Sequence, residues 1–441
     1  MPSGIGHPAL AILRSQSGIW RAAFTVSGLE SGIWHLAFGI LLLAEASAMA
    51  AEPPPAYVPE PRPAATDYLV GAHYFPGWKQ GTHWGWQKIE PFPDRKPLLG
   101  FYDEGSPEVA DWDIKWATEH GISFFVYCWY RNRPNLGKPI TVADLHIGHA
   151  IHDGLFNARY RDRFRFAIMW ENQNAAGVAS LDDLTQNLMP FWLDNYFKHP
   201  SYLKVGNKPL LYVYHLDNLM KTFGSEAKVR AALDAMRDAC RKAGLGGLTL
   251  LCEYRGGDPN VLRRIKACGF DDAFAYCWHT PQKRPTPVQA IDAQLHTMNA
   301  WRAAAVLPFL PTATMGWDPL PWANPKVPWL NPDTMTRWKL PPADWKAVLQ
   351  KVKALMDGLP ADSLGHRMLL LDNWNEWGEG HYLLPHADAG FGYLQAVRDV
   401  FTRCDNQPDY RSPADLGLGP YDSLYRKFLN DQKNKPPAPA P

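Results

Sequence analysis

Two carboxyl side chains three residues apart, Glu376 and Glu379, stand in the run Asn373-Trp374-Asn375-Glu376-Trp377-Gly378-Glu379-Gly380-His381, directly after the apolar stretch Met368-Leu369-Leu370-Leu371-Asp372. Cleaving a glycosidic bond takes one carboxyl to protonate the departing oxygen and a second to act as base or nucleophile. A strand that is buried and then emerges would deliver both to a cleft. On a helical turn the two would share a side, and on an extended chain they would point apart. Gly378 and Gly380 permit a tight, non-extended path. Trp377 and neighbouring rings would desolvate at least one carboxyl and raise its pKa, as a general acid at neutral pH requires. The competing reading for either glutamate is a helix cap or an ion pair.

The elements that must position this pair are legible from residue 67 onward. Apolar, β-rich runs at 68–75, 122–130, 164–170, 209–214, 248–254, 273–278, 306–310 and 368–373 read as strands, several apolar throughout, as parallel strands covered on both faces are. Amphipathic segments at 107–120, 143–153, 181–197, 226–243, 259–268, 288–305, 343–359 and 393–402 read as helices, the first entered through Ser106-Pro107-Glu108 with serine as N-cap. Strand then helix, eight times, predicts an α/β fold of the (β/α)8 TIM-barrel class, one catalytic domain with extended βα loops. No Gly-x-Gly-x-x-Gly follows the first strand, which removes support for a dinucleotide fold.

A barrel carries its chemistry where strands end and βα loops begin. Those positions hold Tyr74 and Trp78 after strand one, Trp129 and Tyr130 after two, Trp170 and Glu171 after three, and Tyr214 and His215 after four. Glu253 and Tyr254 follow strand five, Trp278 and His279 strand six, and Trp374, Asn375 and Trp377 flank the glutamates after strand eight. These are the candidate substrate-binding residues, because flat rings stack on the apolar faces of sugars and polar tips bind their hydroxyls. For each tryptophan the alternative is a place in the core. Glu171 is a third acid on the rim, able to bind sugar hydroxyls or to make a structural hydrogen bond.

Composition narrows the partners. With 45 Lys and Arg against 44 Asp and Glu there is no large field of one sign, so nucleic acid is an unsuitable partner. The aromatic content is high, with 19 Trp, 18 Tyr and 19 Phe. No Cys-x-x-Cys, His-x-His or other ligand spacing predicts a metal, and no cofactor is expected. Cys128, Cys252 and Cys277 lie in apolar runs as buried thiols, whereas Cys240, Cys268 and Cys404 could pair in an oxidising compartment. Residues 1–50 read as an export segment: the apolar run 36–44 precedes Ala48-Met49-Ala50, a pattern of a signal-peptidase site, and the run is short for a membrane span. A Pro-rich linker at 51–66, the barrel at 67–404 and a C-terminal extension with a Pro-rich tail at 405–441 complete the expected organisation. The expected location is periplasmic or secreted, with no stable span left after signal cleavage.

With these residues laid out, the chain from about 67 to about 402 resembles the glycoside hydrolase family 99-like group, which also contains WbsX-type glycosyltransferase sequences. The resemblance rests on Trp374-Asn375-Glu376-Trp377-Gly378-Glu379-Gly380, on Tyr74-Phe75-Pro76-Gly77-Trp78, and on Gly206-Asn207-Lys208-Pro209-Leu210. It implies retaining, endo-acting cleavage of α-mannosides through the sugar's own 2-hydroxyl. Glu376 would deprotonate that hydroxyl to give a 1,2-anhydro sugar; Glu379 would protonate the leaving oxygen and later activate water. Gly378 stands where the family's hydrolases carry a bulkier residue, so the sugar is not carried over with the mechanism. Two other functions remain open: a glycosyltransferase, against which stands the lack of a Gly-rich diphosphate loop or Asp-x-Asp at a strand end, and a carbohydrate-binding barrel without catalysis.

Overall fold

The computed structural model describes residues 57–83, 85–173 and 177–434. The expected export segment, the first part of the expected linker and the last seven residues lie outside the described residues. Eight parallel strands form the wall of a barrel: β1 (Leu69–Tyr74), β2 (Ile122–Arg131), β3 (Arg165–Trp170), β4 (Lys208–Val213), β5 (Thr249–Glu253), β6 (Asp272–Phe274), β7 (Thr312–Ala313) and β8 (Met368–Leu371). Their order around the wall is β6-β5-β4-β3-β2-β1-β8-β7. The ring closes between β6 and the segment leading into β7, where Ala273 bridges Phe309 and its carbonyl accepts from the Leu310 amide at 2.8 Å.

The strands are parallel because each is followed by a crossover of a dozen or more residues, mostly helical, which covers the outer face. All four residues of β8 are buried, and a buried Leu side chain contributes about 1.5–3 kcal/mol. The main crossover helices are α1 (Pro107–Glu119), α2 (Leu216–Phe223), α3 (Glu226–Lys242), α4 (Pro259–Ala267), α5 (Pro287–Ala304), α6 (Pro342–Asp357) and α7 (Gly392–Phe401). In α3 the buried Val229, Ala232, Leu233, Met236 and Cys240 recur at helical spacing, and Ser225 Oγ caps the first turn by accepting from the Lys228 amide.

Several expectations need correction. No α-helix covers 143–153: Leu145–His146 pairs antiparallel with the end of β2, Ile147 takes a positive φ of 51°, and only a π turn at Ala150–Gly154 and a 3-10 turn follow. Ser106 occupies the N-cap position of α1 but its hydroxyl makes no cap bond. The seventh strand is Thr312–Ala313, later than 306–310, and the sixth ends at Phe274, not at 278. All six cysteines are free thiols; Cys240 and Cys268 are buried, so the suggested pairing is absent. Residues 57–66 carry no regular structure yet are tied down, Tyr57 donating to Asp111 at 2.6 Å and the Arg62 amide to Glu119 at 3.0 Å. Beyond 404 the chain continues into a helix, α8 (Ser423–Lys433), whose Tyr425 donates to Glu90 at 2.7 Å.

Candidate active site

The chain leaves β8 at Asp372 and turns back on itself at once. Glu376 and His381 form an isolated antiparallel bridge, and the Gly380 amide closes the turn on the Glu376 carbonyl at 3.1 Å. Gly380 needs its freedom: its φ is +79°, and a Cβ there would lie 2.7 Å from the Asp318 backbone. Gly378 needs space instead. A Cβ at 378 would fall 1.8 Å from the ring of Trp322, which packs over it. The turn is also clamped from outside, since Arg95 donates to the Trp377 carbonyl at 2.9 Å and the Asp318 amide to the Glu379 carbonyl at 2.6 Å.

Asn375 locks the turn to the end of β1. Its Oδ1 accepts from the Phe75 amide at 2.8 Å, its Nδ2 donates to Glu104 at 2.9 Å, and its carbonyl accepts from the Trp78 indole at 2.6 Å. Glu104 also accepts from the Trp78 amide at 2.8 Å. Burial holds the Glu104 carboxyl well above the usual carboxylate range despite these bonds.

The result is a cavity of about 280 Å³ lined by both glutamates together with Phe75, Tyr130, Glu171, Tyr214, Tyr276 and Trp322. It continues into a second lobe of about 400 Å³, where Tyr214, Tyr276 and Glu379 meet Arg255, His279, Lys283, Trp317 and Trp329. A cavity of about 590 Å³ at the other end of the barrel, beside Ile122 and Arg165 at the starts of β2 and β3, is larger. It lies away from the strand ends where a barrel places chemistry.

The two glutamates sit in different surroundings. Glu376 is 4% exposed, and its Oε2 accepts from the Tyr276 hydroxyl at 3.4 Å. Because Asn373 Nδ2 donates to that same hydroxyl at 2.5 Å, the phenolic proton is left to point at Glu376. Burial, and then the charges of Glu379 and Glu104, push the Glu376 carboxyl well above its ordinary pKa. The expected desolvation is therefore present, but not from Trp377, whose indole turns away to donate to Tyr102 at 3.0 Å. The Glu379 side chain is 22% exposed, and its Oε2 lies 3.2 Å from His381 Nε2. The other imidazole nitrogen, Nδ1, lies 3.2 Å from Asp372 Oδ2. Glu171 has a buried Oε1 without a partner and is pushed up to about 7 by burial. An unsatisfied oxygen facing a cavity is a place for a ligand hydroxyl.

Of the residues expected to bind substrate, the structure brings Tyr130, Glu171, Tyr214 and His279 to the two lobes with Glu376 and Glu379. The others stand behind the walls. Tyr74 donates to Asp113 at 3.1 Å, Trp129 to Tyr196 at 3.1 Å, and Trp278 to the Thr312 carbonyl at 2.8 Å. Trp170 packs edge-on against Trp192 at 5.2 Å, Trp374 packs on Phe125 at 4.9 Å, and Tyr254 stacks on Trp301. Trp78, Asn375 and Trp377 hold the turn as described, Glu253 pairs with Arg255, and the His215 amide donates to Asn172 at the head of α2. Tyr74 and the tryptophans are buried by the protein itself and have no face left for a sugar, whereas Tyr254 and His215 are half-buried but do not line either lobe.

A family model described as Glycosyltransferase WbsX matches residues 92–397. The chain belongs to this WbsX family. Among curated proteins it is similar to the uncharacterized protein WxcX of Xanthomonas campestris pv. campestris, 26% identical over 337 residues, which is 69% of this chain and 43% of that protein. The chain thus spans less than half the length of the curated relatives it matches. Among solved structures, the GH99 endo-alpha-mannosidase from Bacteroides thetaiotaomicron aligns with 76% of this chain and 97% of its own, at 17% identity and a TM-score of 0.51. A glycoside hydrolase-like protein aligns with 81% of this chain and 99% of its own, at 16% identity and a TM-score of 0.52. These likenesses show the fold, a TIM barrel.

In this WbsX-family chain, sequence reasoning missed the aromatic wall formed by Trp317, Trp322 and Trp329. All three come from the long segment after β7, where Gly316–Trp317 pairs antiparallel with Trp338–Lys339. Four tryptophans within 22 positions of a segment without helical or strand period were the available signal. Tyr276 was also missed, although it lies two residues before Trp278. Among the described residues no group of His, Cys, Asp and Glu is arranged to hold a metal ion, and no helix is long and apolar enough to cross a membrane.

Proposed function

We propose that the protein is a glycoside hydrolase acting on an oligo- or polysaccharide, with Glu376 as base and Glu379 as acid. The observation that carries this reading is that both carboxyls, delivered by one turn after β8, line the same cavity beside an aromatic wall. The α-mannoside specificity named for the structural neighbour, and retention through the 2-hydroxyl, are the working form of the proposal.

In that form Glu376 takes the proton of the sugar hydroxyl that then attacks the anomeric carbon, and Tyr276 O–H steadies the carboxylate before it does so. Glu379 gives its proton to the departing oxygen and recovers one from the water that opens the 1,2-anhydro ring, while Glu376 returns its proton to the freed sugar oxygen. Glu171 binds a hydroxyl through its free Oε1, and the rings of Trp317 and Trp329 support further sugar units in the second lobe. Export to the periplasm or medium remains part of the proposal, supported by the pattern at 36–50.

The test is release of reducing ends from a panel of polysaccharides that includes α-mannan, by the native protein and by Glu379→Gln. Turnover unchanged in a folded Glu379→Gln protein would sink the assignment. A second reading, sugar transfer from a nucleotide donor, is favoured by the family's description and by Arg255 and Lys283 in the second lobe, where a diphosphate could be met. Calorimetric binding of a nucleotide sugar, without hydrolysis of any glycan, would establish it instead.

A further inference from the structure

His381 is buried completely, yet both its ring nitrogens face carboxylate oxygens: Nδ1 to Asp372 and Nε2 to Glu379, each at 3.2 Å. A neutral imidazole has one N–H, so it can donate to only one of two ionised carboxylates; an imidazolium donates to both. The Asp372 side is fixed. That carboxylate is itself buried, and its Oδ1 accepts from the Met315 amide at 2.9 Å. Only the Glu379 end of the chain opens on the cavity.

Resting on the hydrolase reading, we propose that Asp372 and His381 are positioning residues that set the proton affinity of Glu379. Asp372 holds the imidazole oriented and cationic. His381 donates Nε2–H to Glu379 Oε2 and leaves the other carboxyl oxygen to carry the proton that goes to the departing glycosidic oxygen. As that bond breaks, the proton leaves Glu379, the electron pair of the breaking C–O bond takes it up on oxygen, and the imidazolium stabilises the carboxylate that remains. In the second half of the cycle Glu379 takes a proton from the attacking water and Glu376 returns its own to the sugar oxygen, so the count of protons is restored. A cation beside a carboxyl makes it a stronger acid. By linkage, the carboxylate holds the imidazole's proton by the same amount.

The surroundings agree. Burial opposes a charged His381, but the bonds to Asp372 and Glu379 and their charges outweigh it, and its pKa is raised. The other groups that face it are the rings of Tyr276, from beyond β6, and Trp317, from the segment after β7. His73 on β1 and His279 lie close enough to feel it; burial drives them down to about 3 and about 4, so they remain neutral. The nearby Cys277 thiol is pushed up by burial and is neutral too.

The test reads His381 directly by 15N NMR of the full chain labelled at histidine, its signal assigned by its loss in His381→Gln. The native protein is expected to show a cationic His381 at pH 7, and Asp372→Asn and Glu379→Gln should each lower its midpoint by about one unit or more. A neutral His381 at pH 7 overturns the proposal, as does a midpoint that ignores Glu379→Gln. On a glycan that the native protein cleaves, His381→Gln should move the alkaline limb of kcat/KM to higher pH and lower kcat about 10- to 100-fold. A limb left in place, with a uniform loss of activity, also overturns it. If Glu379→Gln hydrolyses normally, it is the hydrolase reading that fails, and the NMR result still decides the chain from Asp372 to Glu379.

Discussion

Replacing Gly378 by alanine tests the packing that shapes the cavity. Gly378 is not among the glycines with positive φ, so alanine meets no backbone strain there and the whole effect must come from Trp322. The added Cβ would lie 1.8 Å and 1.9 Å from two ring carbons, where ordinary contact is about 3.5–4 Å. The indole must therefore retreat by about 1.5–2 Å. It has little room, being 7% exposed and stacked on Trp78 with ring centres 6.1 Å apart at 8°. Overpacking of this kind costs about 1–3 kcal/mol. Because Trp322 is also a wall of the cavity, a shift of this size should cost about 100-fold in kcat/KM, as misplacement of about 1 Å commonly does. The assays are chemical denaturation and initial rates on the best glycan of the panel. Trp322→Ala alone removes a buried indole at a cost of about 3–5 kcal/mol, and on that background Gly378→Ala should add little further loss, since the ring it clashes with is gone. An alanine protein with native stability and native rate would refute the role given to Trp322.

Three further outcomes are expected. If Glu376 must be ionised to act as base, and burial with Glu379 and Glu104 raises its pKa, activity is lost as pH falls through a limb displaced above the ordinary carboxylate range; a limb near 4.5 in kcat/KM would contradict this. Trp329 is 52% exposed, so Trp329→Ala should change stability by less than about 0.5 kcal/mol. Its KM for long substrates should rise about 3- to 10-fold, with little change for the shortest that is cleaved. Asp272, at the start of β6, is 6% exposed with an unpartnered Oδ1, and burial followed by the charge of Asp271 raises it from 3.8 to about 7. Its folded pKa lies above the unfolded one, so its contribution is present below pH 4 and is lost as pH rises to about 7, by up to about 4 kcal/mol. Asp272→Asn should flatten that part of the stability profile and melt higher at pH 8; parallel profiles for the two proteins would argue against it.

The barrel was readable because parallel strands covered on both faces leave apolar runs, as at Met368 to Leu371, and because α3 keeps strict helical spacing. The loss of the expected helix at 143–153 was not readable, since Leu145 and His146 pair antiparallel with Arg131 and Tyr130 at the end of β2, a contact that local periodicity does not encode. The glutamate pair was legible because its chemistry is local. Its setting was not: Tyr276 and Trp322 reach the site by tertiary packing alone. The strand-end tryptophans mislead for a definite reason. Side chains alternate along a strand, so Tyr130 faces the cavity while its neighbour Trp129 turns to Tyr196, and Glu171 faces in while Trp170 packs on Trp192. Composition announces an aromatic-rich rim but not which ring of each pair is bare.

The central claim is that Glu376 and Glu379 together cleave a glycosidic bond. The most direct measurement is the appearance of reducing ends, followed by NMR of the first-formed anomer, when native protein, Glu376→Gln and Glu379→Gln meet the same glycan panel at equal folded concentration. The account predicts cleavage by the native protein with the anomeric configuration retained, and loss of at least about 100-fold in each variant. Cleavage that survives either substitution, or no cleavage of any glycan together with calorimetric binding of a nucleotide sugar, would contradict it.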